Sequence, residues 1–326
     1  MFHHEITLSN MTTTLMHDAL VEKEEIIPIV SVVIHTYNQE NYISKCIESV
    51  VSQDYFSKIK IIVIDDCSTD STLNICRKFQ KIYPKNIEII ALEKNEHSQG
   101  LFVGLSTYLR LESKYIAWCD GDDYWTDISK IRKQVSILEA NPAIGIVHTD
   151  YIYLKQKENK FESVSRSKSE REKAKNYNNV RDLVSGNHVK QSTAVMILDA
   201  IDFNFVGAAP GIYARDWLIL VSASRSYGIH YIQEPTTSVR VTKKGIWSGA
   251  THDTNRERKD SVRWYCADQL PASELRDAFR HKVVADWMRN LIAKSSIYKV
   301  ARPFVSVARP LKIIVKKLIK SRLRSN

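Results

Sequence analysis

The five cysteines of this 326-residue chain, Cys46, Cys67, Cys76, Cys119 and Cys266, are scattered, and no CxxC pair occurs. That pattern speaks against a disulfide framework and a cysteine-built zinc site, and it fits a reducing compartment. No apolar run approaches the roughly 18 residues of a membrane-spanning helix. The opening, "MFHHEITLSN", lacks the charged-then-apolar pattern of a secretory leader. A cytoplasmic protein is therefore expected. No GxGxxG follows the first apolar run and no GxxxxGKS/T occurs. The glycine-rich cradles for dinucleotides and P-loop phosphates are thus missing. Basic residues are not interleaved with aromatics as in a single-strand nucleic-acid groove. No internal repeat is visible.

What remains is an ordinary globular composition with a basic balance. Hydrophobic residues make up 44% and charged residues 26%, enough for a sizeable core. The net charge of +10 favours an anionic partner, such as a phosphorylated substrate or an anionic lipid surface.

Residues 1–27 are polar and weakly patterned and read as an extension. From Pro28 the chain alternates strand and helix. "IVSVVI" (29–34), "IKIIVI" (59–64), "IEIIAL" (87–92) and "YIAWC" (115–119) are short, apolar runs typical of strands buried on both faces. Between them, Ile43, Cys46, Ile47, Val50 and Val51 recur at helical spacing, as do Leu73, Cys76, Phe79 and Tyr83. Leu101, Leu105, Tyr108 and Leu109 predict a third helix. Such alternation builds a parallel sheet flanked by helices. Further on, the pattern predicts a helix stopping near Pro142, a strand in "IGIVHTDYIYL", a mobile loop or hairpin tip over 155–175, and a strand at 192–197. A helix over 215–227 and an extended stretch over 231–241 follow.

In a parallel sheet the ligand sits at the carboxyl ends of the strands. The loops there are "HTYNQE" (35–40), "DDCSTD" (65–70), "EKNEHSQG" (93–100) and "DGDDYW" (120–125). The last places Asp120, Asp122 and Asp123 together, with Gly121 allowing a tight turn. Such acids either cap and solvate a turn or hold a hard cation such as Mg²⁺ or Mn²⁺. Asp66 offers a carboxylate to the N–H groups of a nucleobase, while Ser68 or Asp70 can cap the next helix. Tyr37 either stacks on a base or packs in the core. Glu40 either reaches a ribose hydroxyl or complements the helix dipole.

Taken in order, "SVVIHTYNQENYISKCIESVVSQ", "IIVIDDCSTDST" and "YIAWCDGDDYW" resemble the family 2 glycosyltransferases, inverting enzymes of the GT-A fold. The resemblance covers about residues 28–250. It implies an α/β, GT-A-type fold with a mostly parallel central sheet, a nucleotide-sugar donor (a UDP-sugar is the commoner type), a bound Mn²⁺ or Mg²⁺, and no covalent intermediate. Carried over by position, Thr36, Tyr37, Glu40, Asp66, Asp120 and Arg240 fall on the donor side. Asp122 takes the place of the metal ligand, with Asp120 joining through water or the ribose. Asp123, Trp125, Ser192 and Trp247 fall toward the acceptor. "ARDWLIL" (214–220) resembles the element that carries the general base, which makes Asp216 the base and puts Arg215 where an acid is usual. "GNHVKQSTAVMI" (186–197) resembles the acceptor-side strand. In "VRVTKKGIWSG" (239–249), Thr242 stands where a histidine is common, so Arg240, Lys243 or Lys244 are left to meet the diphosphate.

The resulting organisation is an extension over 1–27 and a catalytic domain over 28–265. Residues 28–125 form its nucleotide half and 126–265 its acceptor half. A helical region with a basic tail occupies 266–326. Residues 301–326 hold eight Lys or Arg and no acid. After Pro310, Leu311, Ile314, Val315 and Leu318 share one helical face, and Lys312, Lys316 and Lys320 another. Such a helix suits an anionic membrane surface, and a lipid-linked glycan or surface polysaccharide is the expected acceptor. A nucleotidyltransferase acting on sugar phosphates is the alternative enzyme, though "SVVIHTYNQENY" has no glycine-rich signature. A non-enzymatic binder of anionic polymers ranks last.

Overall fold

A computed structural model of the chain describes residues 28–294, apart from Asn159, Tyr177, Pro210, Lys243 and Lys244. The extension, the basic tail and the two lysines proposed for the diphosphate thus lie outside the described residues. The chain divides into two compact units. One runs to Val180 and takes in Asn187–Ala250; the other comprises Arg181–Gly186 and the chain from Thr251 onward.

In the first unit, four parallel strands form the expected half-sheet. They are β1 (Val30–Thr36), β2 (Ile59–Asp65), β3 (Ile87–Ala91) and β4 (Tyr115–Trp118), in the order β3-β2-β1-β4. Helices α1 (Ile43–Val51) and α2 (Thr72–Ile82) link them. The apolar positions read from the sequence face inward: Ile43, Cys46, Ile47 and Val50 of α1 are buried. They join Val30, Val32, Ile34, Ile61 and Val63 in one core. The third helix is shorter than its pattern predicts. Only α3 (Leu105–Tyr108) is helical, and Leu101 and Leu109 lie on the surface. Gly100 and Gly104 explain this: both adopt left-handed backbone at φ 69°, which interrupts a right-handed helix.

Beyond β4 the sheet becomes mixed. After β5 (Tyr124–Trp125) and α4 (Lys130–Ala140) come β6 (Ile144–Lys157), β7 (Lys160–Ser165), α5 (Lys168–Lys175), β8 (Ala194–Ile197), α6 (Phe203–Gly207), α7 (Arg215–Ala223) and β9 (Gly228–Val241). The full order is β3-β2-β1-β4-β8-β6-β9-β5, with β7 on β6. β8 runs antiparallel to both β4 and β6. β6 and β9 are parallel, and β5 is antiparallel to β9. Of the mobile loop or hairpin tip expected over 155–175, the hairpin forms, between β6 and β7, and the helix α5 that follows it was not expected. Ser167 and Glu170 close a reciprocal capping box at the start of α5, and Arg166 is buried against Asp150 at 2.9 Å.

The second unit contains the helices α8 (His252–Gln269) and α9 (Glu274–Lys294). Arg263, 6% exposed, bonds Asp260 at 2.9 Å, Asp286 at 3.0 Å and the Ser185 carbonyl at 2.8 Å. The break expected at 265–266 would cut α8, a continuous helix, so the division precedes it. Among the described residues, no helix is long and apolar enough to cross a membrane.

Candidate active site

The parallel register brings the acid-bearing loops together. Thr36 lies opposite Asp65, so the loops after β1 and β2 leave the sheet side by side. They are laced to each other. The Asn38 amide donates to Ser68 Oγ at 3.0 Å, and the Thr69 amide donates to Asn38 Oδ1 at 2.8 Å. Asp70 accepts from the Thr72 amide at 2.9 Å and from the Glu40 amide at 3.1 Å. Asp70 thus holds the first amide of α2 from outside the helix, whose N-cap residue Ser71 makes no side-chain cap. Glu40 lies before α1 rather than in its first turn, and its carboxylate accepts from the Ser71 amide at 3.0 Å, just before α2.

Asp66 is buried, and both its oxygens are engaged by the next loop. Oδ1 accepts from the Glu96 amide at 2.7 Å and Oδ2 from the His97 amide at 3.1 Å. Thr36 is buried and donates to Gln39 Oε1 at 2.9 Å. Tyr37 is 46% exposed, which leaves its ring free of the core.

The DGDD turn lies beside the end of β1. The Gly121 amide donates to the His35 carbonyl at 2.9 Å, and the Asp123 amide to the Asp120 carbonyl at 2.7 Å. Gly121 is needed for space rather than for an unusual φ. A Cβ there would lie 2.3 Å from Gln39 Oε1 and 3.0 Å from the His35 carbonyl. The three acids separate by environment. Asp123 is buried; it accepts from the Arg240 amide at 2.9 Å and from Ser192 Oγ at 2.8 Å. Burial first, then Asp122 and Asp120, push its carboxyl well above the usual range. Asp120 is half-buried and lies 3.2 Å from Ser192 Oγ. Asp122 receives no side-chain hydrogen bond among the described residues. Burial and the neighbouring Asp120 push its carboxyl up to about 6, against the pull of Arg240 and Lys190.

Several side chains expected to meet ligands instead build walls. Trp125 is buried, and its indole N–H donates to the Ser192 carbonyl at 3.0 Å. That bond supports the segment carrying Ser192. Ser192 too is buried and serves the two acids. Arg240 sits in an aromatic box, 4.6 Å from the Tyr42 ring, 5.3 Å from Tyr124 and 5.7 Å from Phe161. Its guanidinium donates to the Asp122 carbonyl. Trp247 is half-buried in the turn after β9, where the Gly245 amide and Ser248 hydroxyl both donate to the Thr242 carbonyl.

Asp216 lies in the first turn of α7 and accepts from Asn187 Nδ2 at 2.8 Å. Burial raises its carboxyl above the ordinary value. Both Lys190 and Asp120 act on it electrostatically. Arg215, in the position where an acid is usual, has a structural task. It is buried and donates to the carbonyls of Ala209 and Ile212 at 2.9 Å and of Gly100 at 2.7 Å. That ties the loop before α7 to the loop held by Asp66.

Sequence reasoning passed over three residues in the site. His35, next to last in β1, bonds the Tyr108 hydroxyl at 2.9 Å and feels Asp120 and Asp66; burial lowers its basicity. Its place at a strand's carboxyl end was the available signal. Asn187 and Lys190 lay inside the quoted 186–197 stretch, but nothing in their spacing points to Asp216.

A family model described as "Glycosyl transferase family 2" matches residues 31–196, from β1 through the DGDD turn to β8. The chain belongs to glycosyl transferase family 2. A curated relative, the minor teichoic acid biosynthesis protein GgaA of Bacillus subtilis, is 41% identical over 95 residues, 28% of this chain and 21% of its own. The crystal structure of Staphylococcus aureus TarS 1–349 in complex with UDP-GlcNAc superposes with a TM-score of 0.57 at 17% identity. It covers 82% of this chain and 73% of that one. The mannosyltransferase PcManGT of Pyrobaculum calidifontis, in complex with GDP-Man and Mn²⁺, superposes with a TM-score of 0.53 at 17% identity, over 87% and 81% of the two chains. Both superpositions support the GT-A-like fold. The chain spans only 21% to 42% of the length of the curated relatives it matches. The relatives it matches include proteins named for teichoic acid and teichuronic acid biosynthesis.

Among the described residues of this glycosyltransferase, no group of three or more His, Cys, Asp or Glu is arranged to hold a metal ion. Asp122, with no side-chain donor and a carboxylate strained by burial beside Asp120, still suits a hard cation whose other positions are filled by water and ligand oxygens.

Proposed function

We propose that this enzyme is an inverting, divalent-cation-dependent glycosyltransferase. Its donor is a nucleotide-diphosphate sugar, of the UDP type, and its acceptor is a hydroxyl of a surface polysaccharide or lipid-linked glycan. The observation that carries the reading is Asp216. It is a carboxylate raised by burial, held by Asn187, and electrostatically coupled to the DGDD turn. Such a group is suited to taking the acceptor's proton. The UDP-GlcNAc complex of TarS and the teichoic acid relatives support the donor and acceptor classes.

Asp122, with Asp120 behind it, would hold the cation. Mn²⁺ or Mg²⁺ bound there would offset charge on the leaving diphosphate. The other steps belong to the chain's own residues. Tyr37, exposed beside the lacing of the first two loops, offers a face to the nucleobase. Asp66 shapes the 93–100 loop that borders it. Asp123, Ser192 and Arg240 fix the DGDD turn. Asp216 accepts the proton as the hydroxyl attacks. Peripheral contact with the cytoplasmic face of an anionic membrane, through the tail, belongs to the same proposal.

The test is a panel of nucleotide sugars with Mn²⁺, reading donor hydrolysis and transfer. Asp216→Asn is expected to lower kcat by about 10²–10⁴-fold while donor affinity holds. In the wild type, activity should fall as acidification protonates Asp216, with a midpoint above the ordinary carboxylate value. Asp122→Ala should abolish the effect of EDTA on donor binding. Normal turnover by Asp216→Asn would sink the base assignment, and EDTA-insensitive donor binding by the wild type would sink the cation.

A further inference from the structure

Segment 187–193 is pinned in the site at both ends. Asn187 holds Asp216 at 2.8 Å. Ser192 Oγ lies 2.8 Å from Asp123 and 3.2 Å from Asp120, and its carbonyl accepts from Trp125 at 3.0 Å. Lys190 stands between these anchors. Its carbonyl accepts from the Thr193 amide at 2.9 Å and from Thr193 Oγ1 at 2.6 Å, which fixes the backbone that carries it. The backbone that carries Lys190 is therefore held between the residue that bonds Asp216 and the residue that bonds Asp120 and Asp123.

Lys190 is half-buried, and its positive charge is felt by both Asp122 and Asp216. Among the described residues, its ammonium nevertheless has no ion-pair or hydrogen-bond partner. Other lysines of the same unit are satisfied. Lys133 bonds Asp127 at 2.9 Å and Glu234 at 2.6 Å; the buried Lys130 bonds Gln134 at 2.5 Å and the Thr193 carbonyl at 3.2 Å. A partly desolvated ammonium held near two acids yet paired with neither costs stability unless an anion completes it.

We propose that Lys190 binds the diphosphate of the donor, between Asp122 and Asp216. This rests on the glycosyl-transfer reading above. When the bond between the anomeric carbon and the diphosphate oxygen breaks, its electron pair stays on that oxygen. The Lys190 ammonium offsets the charge that grows there, and the acceptor's proton goes to Asp216.

The experiment is calorimetric titration of the full chain with UDP and GDP in Mn²⁺, and with uridine and guanosine. Wild type, Lys190→Gln and Lys190→Arg are compared. The wild type should bind one of the two diphosphates. Lys190→Gln should weaken that binding by about tenfold or more, while Lys190→Arg stays within about threefold. Affinity for the matching nucleoside should not change. The proposal is overturned if Lys190→Gln binds the diphosphate as the wild type does, if it weakens the nucleoside equally, or if the wild type binds neither diphosphate. Asp216→Asn separates the two readings: should it keep full turnover, the base assignment fails while the Lys190 binding result stands.

Discussion

The two halves of the sheet are held together by different physics. In the parallel half, β3-β2-β1-β4, the interior is mostly apolar, with a few buried polar contacts such as Ser31 to Ser113 at 2.8 Å and the Trp118 indole to the Tyr108 hydroxyl at 3.0 Å. In the mixed half, polar groups lie inside. Asp150 and Arg166 pair at 2.9 Å with side chains 5% and 3% exposed. Thr149 bonds Thr236 at 2.7 Å. His148 is buried against Tyr231, their ring centroids 4.9 Å apart. Lys130 and Gln134 reach the Thr193 carbonyl. An aliphatic interior tolerates small losses, because it contains nothing that must be satisfied. A polar interior is conditional, because each group depends on its partner.

The sharpest break in this contrast is Arg166→Met. It strands the Asp150 carboxylate inside the protein and should cost about 3–5 kcal/mol. Replacing both partners, as Asp150→Leu with Arg166→Met, should recover most of that loss in denaturant melts. A double variant no better than the single one would show that the pair is not the unit. Next comes acid. Burial first, then Arg166 and His230, hold the His148 imidazole down at about 3. The folded protein therefore keeps it neutral, while the unfolded chain takes up a proton below about 6.5. Stability should fall as pH drops from about 6.5 toward 3, and His148→Gln should flatten that slope. The raised carboxyls of Asp123 and Asp216 work with the opposite sign, so the comparison is between the slopes of wild type and variant.

Smaller effects probe the parallel half. Gly121→Ala forces a Cβ against Gln39 and the His35 carbonyl. It should cost about 1–3 kcal/mol and weaken donor binding, because the DGDD turn must move; an unchanged melting temperature would refute the steric reading. Ile61→Val, in the fully buried aliphatic core, should cost only about 0.5–1.5 kcal/mol. A loss as large as that of Arg166→Met would erase the distinction between the halves.

The parallel half was open to reading because buried strands and amphipathic helices advertise themselves by period. β1, β2, β3, β4, α1 and α2 all fall where the apolar spacing puts them. The exception, residues 101–109, carries a helical period that Gly100 and Gly104 interrupt; spacing alone does not weigh that. In the stretch 155–175 the charges left a mobile loop or a hairpin tip open; the hairpin forms between β6 and β7, and Arg166 finds Asp150 and Ser167 finds Glu170. In the site, Asp120, Asp122, Asp123 and Asp216 were marked by motif. Trp125 was assigned to the acceptor side, but its indole is used by the Ser192 carbonyl. Lys190 carries no motif, and only the fold brings its charge within electrostatic reach of both Asp122 and Asp216.

By itself the sequence determined the order of the strands and helices in the nucleotide half and the loops that carry the acids. Both follow from local rules, since the period of burial and the position of a loop after a strand are properties of neighbouring residues. Tertiary structure alone decided which acids are paired and which are left for a ligand. It also decided that Asn187 reaches Asp216, and that Arg240 lies among Tyr42, Tyr124 and Phe161. Partners of that kind come from segments far apart in the chain, and a charge acquires its role only when burial strips away water and leaves its neighbours to answer it.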